Sequence, residues 1–331
     1  MNLSTLEIIE LGILTLTSLY HTIASYQENQ QPSPGQITTT DRSRIHWLEK
    51  GHGETTILID HSLGGVEGYL LIDRLATLGQ IVIFDRPGYG KSSPSWHPRT
   101  SQQNNLELQS FLRTAQIQPP YILVGDSFGS YNMRLFAHNY PEQVIGLVMT
   151  DGLHEAQMLS LPLRLKIFKI FLAISFFFVS IGAAFGIVRI FGLLGVFEII
   201  KPELKRCDPD RLKQVKRSFY SASHWLTMAR EITSLDTSAR QLRVANDLGD
   251  LPVINIKAAT FLRIPLPKIC WGWLMDSADR ARDQIHFDLA QVSTNSQQLL
   301  APKSSHFVWI DRPDVMVVAV EKVIELSLDG E

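Results

Sequence analysis

Cysteine is nearly absent from this chain: two thiols, Cys207 and Cys270, stand among 331 residues, with no spaced partners and no metal-ligand pattern around them. That excludes a disulfide framework and a zinc site and leaves two ordinary thiols. A surplus of charge of one sign is missing too. Lys and Arg number 31 against 33 Asp and Glu, a net charge of -2, so there is neither a basic excess for nucleic acid nor an acidic tail for a basic partner. Internal repeats and low-complexity segments are absent, apart from a short polar stretch, Gln27 to Gly35 with Pro32 and Pro34, that reads as a linker. No cofactor or metal motif occurs.

The first apolar segment also lacks something. Leu3 to Tyr26 is rich in Leu and Ile, contains Glu7 and Glu10, and has no Lys or Arg, so the cationic start of a secretory signal is missing. Its apolar run, Leu11 to Tyr20, is short for a full span, and an interfacial anchor competes with a transmembrane helix. If it spans, Arg42 and Arg44 as the first cations favour a cytoplasmic position for the remainder of the chain. The expected localisation is therefore membrane-associated.

What is present in quantity is apolar material, 45% of the chain, enough for one large core. Gln36 to Thr40 and Arg44 to Glu49 flank a turn and predict a hairpin. Strands at Thr56 to Ile59, Ile81 to Phe84, Tyr121 to Val124, Val144 to Met149, Pro252 to Lys257 and Gln297 to Ala301 then alternate with helical patterns at Val66 to Leu78, Ser101 to Gln116, Tyr131 to Asn139, Trp273 to Gln291 and Pro313 to Leu326. This alternation predicts an α/β fold with a mostly parallel sheet and helices on both faces. A long stretch from about His154 to Asp250 interrupts it and reads as an inserted helical lid. Within it Ile170 to Val188 carries no charge and is long enough to cross a bilayer. A single crossing there would part Ser127 from the later histidines, and Ile190 to Ile200 is too short to return. Arg164, Lys166, Lys169 and Arg189 border the run and suit a lid in the headgroup layer; a lid helix buried against the core is the alternative. The predicted division is 1–35 anchor helix and linker, 36–153 with 251–331 core, and 154–250 lid.

Gly125-Asp126-Ser127-Phe128-Gly129 joins the Tyr121 strand to the following helix. Glycines two positions either side of Ser127 let neighbouring backbone approach a residue at the tip of a strained turn, the context of a nucleophile elbow. A carboxylate nucleophile at Asp126 is excluded by that spacing. An incidental serine in a Gly-rich turn is the bland alternative. A serine hydroxyl needs a base, and His306 follows the last strand at the same sheet edge as Ser127; His138 reads as packing and His154 as lining the site. The acid that orients the base follows one of two strands. After Pro252 to Lys257 no carboxylate occurs before Asp276, whereas Asp151 directly follows Val144 to Met149, so Asp151 is preferred, with Asp276 and Asp279 behind it. Backbone donors for an oxyanion are expected at Phe128 and at Leu63, in the loop His61 to Gly65. His61 reads as a loop organiser, and Asp85 to Gly90 as a tight structural turn with no phosphate cradle.

D-H-S-L-G-G at Asp60 to Gly65, D-R-P-G-Y-G-K-S at Asp85 to Ser92, P-Y-I-L-V-G-D-S-F-G at Pro120 to Gly129 and S-S-H at Ser304 to His306 together resemble the α/β-hydrolase superfamily, in particular its lidded esterase-like and epoxide-hydrolase-like branches, across about Ile37 to Leu326. The resemblance implies Ser127 as nucleophile, His306 as base, and Phe128 and Leu63 as oxyanion donors; no cofactor is expected. Three positions depart from its usual pattern: Asp126 before the nucleophile, Ser62 in the oxyanion loop, and Ser305 before the histidine. The expected function is a serine hydrolase that cleaves a small lipophilic acyl substrate, with a membrane surface as partner and no nucleic acid. A non-catalytic protein of the same fold that binds lipid or a partner is the alternative. Oligomeric state is open.

Overall fold

The structure, a computed structural model, describes residues 4–31, 34–261 and 268–328, and no side chain at 67, 268–271 or 274. Cys207 is a free thiol; the side chain of Cys270 lies outside the described residues. Eight strands form one sheet: β1 (Gln36–Thr39), β2 (Arg44–Lys50), β3 (Thr56–Asp60), β4 (Gln80–Phe84), β5 (Tyr121–Asp126), β6 (Val144–Thr150), β7 (Val253–Ala258) and β8 (Ser296–Ala301). Their spatial order is β1-β2-β4-β3-β5-β6-β7-β8. The β1–β2 hairpin and the β2–β4 pair are antiparallel, and all later pairings are parallel.

The apolar runs of β3 to β7 are buried on both faces, as crossover helices require. Alternate side chains enter opposite cores. Ile57, Ile83, Val124, Val148 and Ile256 meet Val315, Ala319 and Val323 on one face, while Leu58, Val82, Leu123, Leu147 and Val253 meet Phe111, Phe136 and Leu289 on the other.

The helices are α1 (Thr5–Gln30), α2 (Ile72–Leu75), α3 (Ser101–Thr114), α4 (Phe128–Asn139), α5 (Glu155–Leu159), α6 (Leu163–Ala184), α7 (Ile187–Leu193), α8 (Val196–Ile200), α9 (Pro209–Phe219), α10 (Ala222–Gln241), α11 (Lys268–Leu289), α12 (Val308–Asp311) and α13 (Pro313–Leu328). Helices α5 to α10 separate β6 from β7, and α6 packs along α10 over the end of α4.

Several expected boundaries change. The helix expected over Val66 to Leu78 is a 3-10 turn, Glu67–Leu70, followed by the single turn α2. The linker expected from Gln27 is helical to Gln30, because Glu28 is held in an ion pair with Arg189. The uncharged run Ile170 to Val188 is not one helix. Gly186 at φ 79° ends α6, and Gly195 at φ 72° separates α7 from α8; this left-handed backbone suits glycine and stops a helix whatever the hydropathy around it.

Candidate active site

Strand β5 delivers Ser127 at φ 48° and ψ -110°, a conformation costly for a residue with a Cβ. The surrounding glycines explain how the turn closes. A Cβ on Gly129 would stand 2.5 Å from Asp60 O, and one on Gly125 would stand 2.6 Å from Gly129 O. Ser127 N donates to Thr150 O at 2.9 Å, which ties the turn to β6. Asp126 points away, as its spacing required: its Oδ2 accepts from Trp309 Nε1 at 3.1 Å.

Ser127 and His306 line one cavity of about 430 Å³, whose walls are otherwise mostly apolar and include Leu63, Leu172, Phe176 and Trp225. Among the described residues no hydrogen bond joins Ser127 Oγ to His306. His306 Nδ1 lies 2.5 Å from Asp151 Oδ2. Of the three candidate acids, Asp151 alone meets this histidine. Asp279 instead accepts from the Phe261 N–H and pairs with Arg282, and Asp276 is exposed.

Two residues missed by sequence reasoning complete the acid's surroundings. Arg282 donates to both oxygens of Asp151, through Nη2 at 2.5 Å and Nε at 3.2 Å, and His286 Nε2 lies 3.0 Å from Oδ1. Ala258 N adds a donor at 3.2 Å, while Ala258 O accepts from Arg282. Burial works against the Asp151 charge, yet hydrogen bonds from His286 and His306 and the Arg282 charge hold its carboxyl well below the usual range. The available signal was the spacing of Arg282 and His286, four apart on one face of α11.

The His61–Gly65 loop is fixed from behind by Arg86. This buried guanidinium donates to His61 O and Ser62 O, both at 2.8 Å, pairs with Asp60, and forks onto Glu231 of α10 at 2.9 and 3.1 Å. Tyr89 OH donates to the same Glu231 and accepts from Gly64 N. In a trans peptide the C=O and N–H point in opposite directions. Anchoring Ser62 O on Arg86 therefore turns the Leu63 N–H the other way. Neither Leu63 N–H nor Phe128 N–H has a protein acceptor among the described residues. His61 Nδ1 accepts from Gly68 N at 3.1 Å, and burial pushes its pKa down to about 4, so it is a neutral loop organiser.

Ser305 has a partner that a glycine would lack. Its N–H and hydroxyl both donate to Asp311 Oδ2, at 2.7 and 2.6 Å, while Lys201 Nζ from the insertion donates to Asp311 Oδ1 and Ser305 Oγ. His154, expected to line the site, is instead the buried N-cap of α5, accepting from Ala156 N.

A family model described as "alpha/beta hydrolase fold" matches residues 55–170. The chain has the α/β-hydrolase fold. Among curated relatives, the chain is similar to the uncharacterized protein YqjL of Bacillus subtilis, 39% identical over 71 residues, 22% of this chain and 28% of that one. It is also similar to a 2-hydroxy-6-oxononadienedioate/2-hydroxy-6-oxononatrienedioate hydrolase of Paraburkholderia phymatum, 34% identical over 116 residues, 33% of this chain and 40% of that one. The chain thus spans less than half the length of either relative. Among solved structures, the haloalkane dehalogenase DatA of Agrobacterium tumefaciens superposes with a TM-score of 0.64 at 14% identity, covering 88% of this chain and 96% of that one. A thermophilic esterase of Thermogutta terrifontis gives 0.61 at 15%, covering 89% and 99%. At those identities the likeness is one of fold.

Replacing Arg86 by Met will leave Asp60 and Glu231 charged and buried without their partner, costing about 3–5 kcal/mol. Urea unfolding will show this, and Arg86→Met with Glu231→Gln will be less destabilised than the sum of the single changes. The buried histidines make stability depend on pH. His61, at about 4, and His224, pushed by burial to about 3, stay neutral in the fold while the unfolded chain binds protons below about 6.5. Stability will therefore rise with pH from about 4 to about 6.5, and His224→Phe will flatten that slope in urea midpoints. His46 acts oppositely above that window. Despite burial, its bond to Asp85 raises its pKa, so its contribution fades as pH climbs past the raised value.

Proposed function

We propose that this protein is a serine hydrolase that cleaves a small lipophilic carboxylic ester or related acyl compound. The observation that carries the reading is the strained Ser127 facing the same apolar cavity as a histidine whose Nδ1 is held by a buried, ionised carboxylate. In the proposed mechanism His306 Nε2 takes the Ser127 proton as Oγ adds to the acyl carbonyl. Asp151 fixes the Nδ1–H tautomer and stabilises the imidazolium. The Leu63 and Phe128 N–H groups receive the oxyanion. Collapse expels the alcohol, which takes the proton from His306. Water, deprotonated by the same imidazole, then releases the acid and restores Ser127. The apolar cavity wall, to which the insertion contributes as a lid, supports a lipophilic acyl chain.

The same reading places the protein at a membrane. Two helices, α1 and α6, are long and apolar enough to cross one, and both expose large apolar side chains such as Leu6, Ile9, Phe171 and Phe178. These supply the attachment, with the hydrolase core on the cytoplasmic side. The rival reading, a lipid-binding protein without catalysis, is favoured by the missing Ser127–His306 hydrogen bond, although such contacts tighten in many enzymes only with substrate bound.

A fluorophosphonate probe will label Ser127 in the wild-type protein and fail on Ser127→Ala and His306→Ala; an unlabelled, folded wild type would support the rival. Asp151→Asn will lower ester turnover by roughly 10³–10⁴-fold. Arg282→Met will move the acidic limb of the kcat/KM profile upward by roughly one pH unit, because the guanidinium no longer offsets the Asp151 charge beside the imidazolium. A merely structural Arg282 would lower turnover and leave the limb in place.

A further inference from the structure

Helix α1 meets the rest of the protein along only half its length. Its N-terminal half carries Leu6, Ile8, Ile9, Leu11, Ile13 and Leu16 in the open. Contact begins at Thr17 and His21, against which Gly186 is packed so closely that a Cβ there would lie 2.6 Å from Thr17 O. One turn further on, Arg189 of α7 forks onto Glu28 at 2.7 and 2.9 Å and donates to Ser25 at 3.0 Å. The same Gly186 ends α6, whose Phe177, Phe178 and Ile181 are also exposed. The apolar end of α1 and the outer face of α6 therefore meet at one corner.

Immediately below Tyr20, where α1 passes from the open to the protein, lies a cavity of about 530 Å³. Its charged lining is Arg189, Lys213, Lys216 and Arg217 against the single carboxylate Glu28. Arg189 is occupied by Glu28, and Lys216 by Glu198. Two cations remain. Lys213 is exposed and has no ion-pair partner among the described residues. Arg217 donates through Nη2 to Gln31, and its Nε stands 4.0 Å from Glu28, the far limit of an ion pair, with no hydrogen-bond acceptor among the described residues.

We propose that this cavity binds the phosphate of an anionic phospholipid, so that the apolar corner of α1 and α6 enters the bilayer while Lys213 and Arg217 engage its headgroup layer. The site deepens the membrane reading given above and rests on it. Apolar side chains above and cations below the same turn of α1 match the order of acyl chains and headgroups in a leaflet. Each cation near a charged leaflet contributes about 1 kcal/mol, or roughly fivefold in binding.

Flotation of the full chain with vesicles tests this. Vesicles of phosphatidylcholine alone are compared with vesicles containing about one-third phosphatidylglycerol, for wild type, Lys213→Gln/Arg217→Gln and Lys213→Gln alone; thermal unfolding checks that each variant is folded. We expect wild type to bind both, with roughly twenty-fold or greater preference for the anionic vesicles, and the double variant to lose that preference while still binding phosphatidylcholine. Inorganic phosphate that displaced the wild type from anionic vesicles at low millimolar concentration would make free phosphate the ligand and overturn the lipid assignment. Equal binding to both vesicles by wild type would overturn the headgroup site and leave the membrane reading standing. Failure to bind either would overturn both.

Discussion

The site depends on one buried guanidinium. Arg86 is 2% exposed and joins three segments that are distant in sequence: the end of β3 through Asp60, the loop after it through His61 O and Ser62 O, and helix α10 through Glu231. A charge so deeply placed is tolerable only if its hydrogen bonds are supplied together. The carbonyls it collects belong to the loop whose amides the proposed chemistry uses. Anchoring one side of those peptides orients the other, and an electrostatic demand deep in the core becomes a geometric property of the cavity wall.

A second constraint concerns the acid. Asp151 stands at the end of β6, and the neighbouring end of β7 offers Ala258 and Ala259. Placing a carboxylate on β6 leaves it surrounded by strand ends, where backbone alone gives it one donor, Ala258 N. Arg282 and His286 supply the rest from α11. The arrangement was half legible: the absence of a carboxylate after β7 and the position of Asp151 after β6 can be read along the chain. Its supports cannot, since Arg282 and His286 lie 131 and 135 residues away and become neighbours only through the β6–β7 pairing. The strands were legible for a similar reason in reverse. Runs such as Ile122 to Val124 are apolar at every position because both faces of a parallel sheet are covered. The extents of α6 to α8 were not, because uninterrupted hydropathy masked the stops at Gly186 and Gly195, which act through backbone conformation.

The insertion between β6 and β7 braces the site from two directions. Glu231 holds Arg86 and, through Tyr89, reaches Gly64, while Lys201 holds Asp311 and Ser305 beside His306. The serine that stands where a glycine was expected thus links insertion and histidine loop. Displacing this insertion as a rigid flap would break a buried ion pair and loosen both sides of the cavity at once. Any opening that preserves the site must come from smaller parts, and α6 is the segment whose ties suit it. Among the described residues its polar anchors are Lys169 with Asp236, Ser180 with Ala222 O and the Arg164 guanidinium over the Trp273 ring, and much of its inner face is apolar contact.

Helix α6 is apolar on two sides. Leu172 and Phe176 line the cavity, and Phe171, Ile174 and Phe178 face outward. In a helix that merely covers a pocket from water, the outer face would be polar, because exposing Phe there gains nothing and invites association. Under the membrane attachment proposed above, that outer face meets an apolar medium. With such a medium on one side and an apolar cavity on the other, one helix thickness separates a lipophilic compound dissolved outside from Ser127. On that proposal the shortest path for the compound avoids water altogether, and the composition of α6, the lining of the cavity and the placement of α1 answer to a single physical requirement.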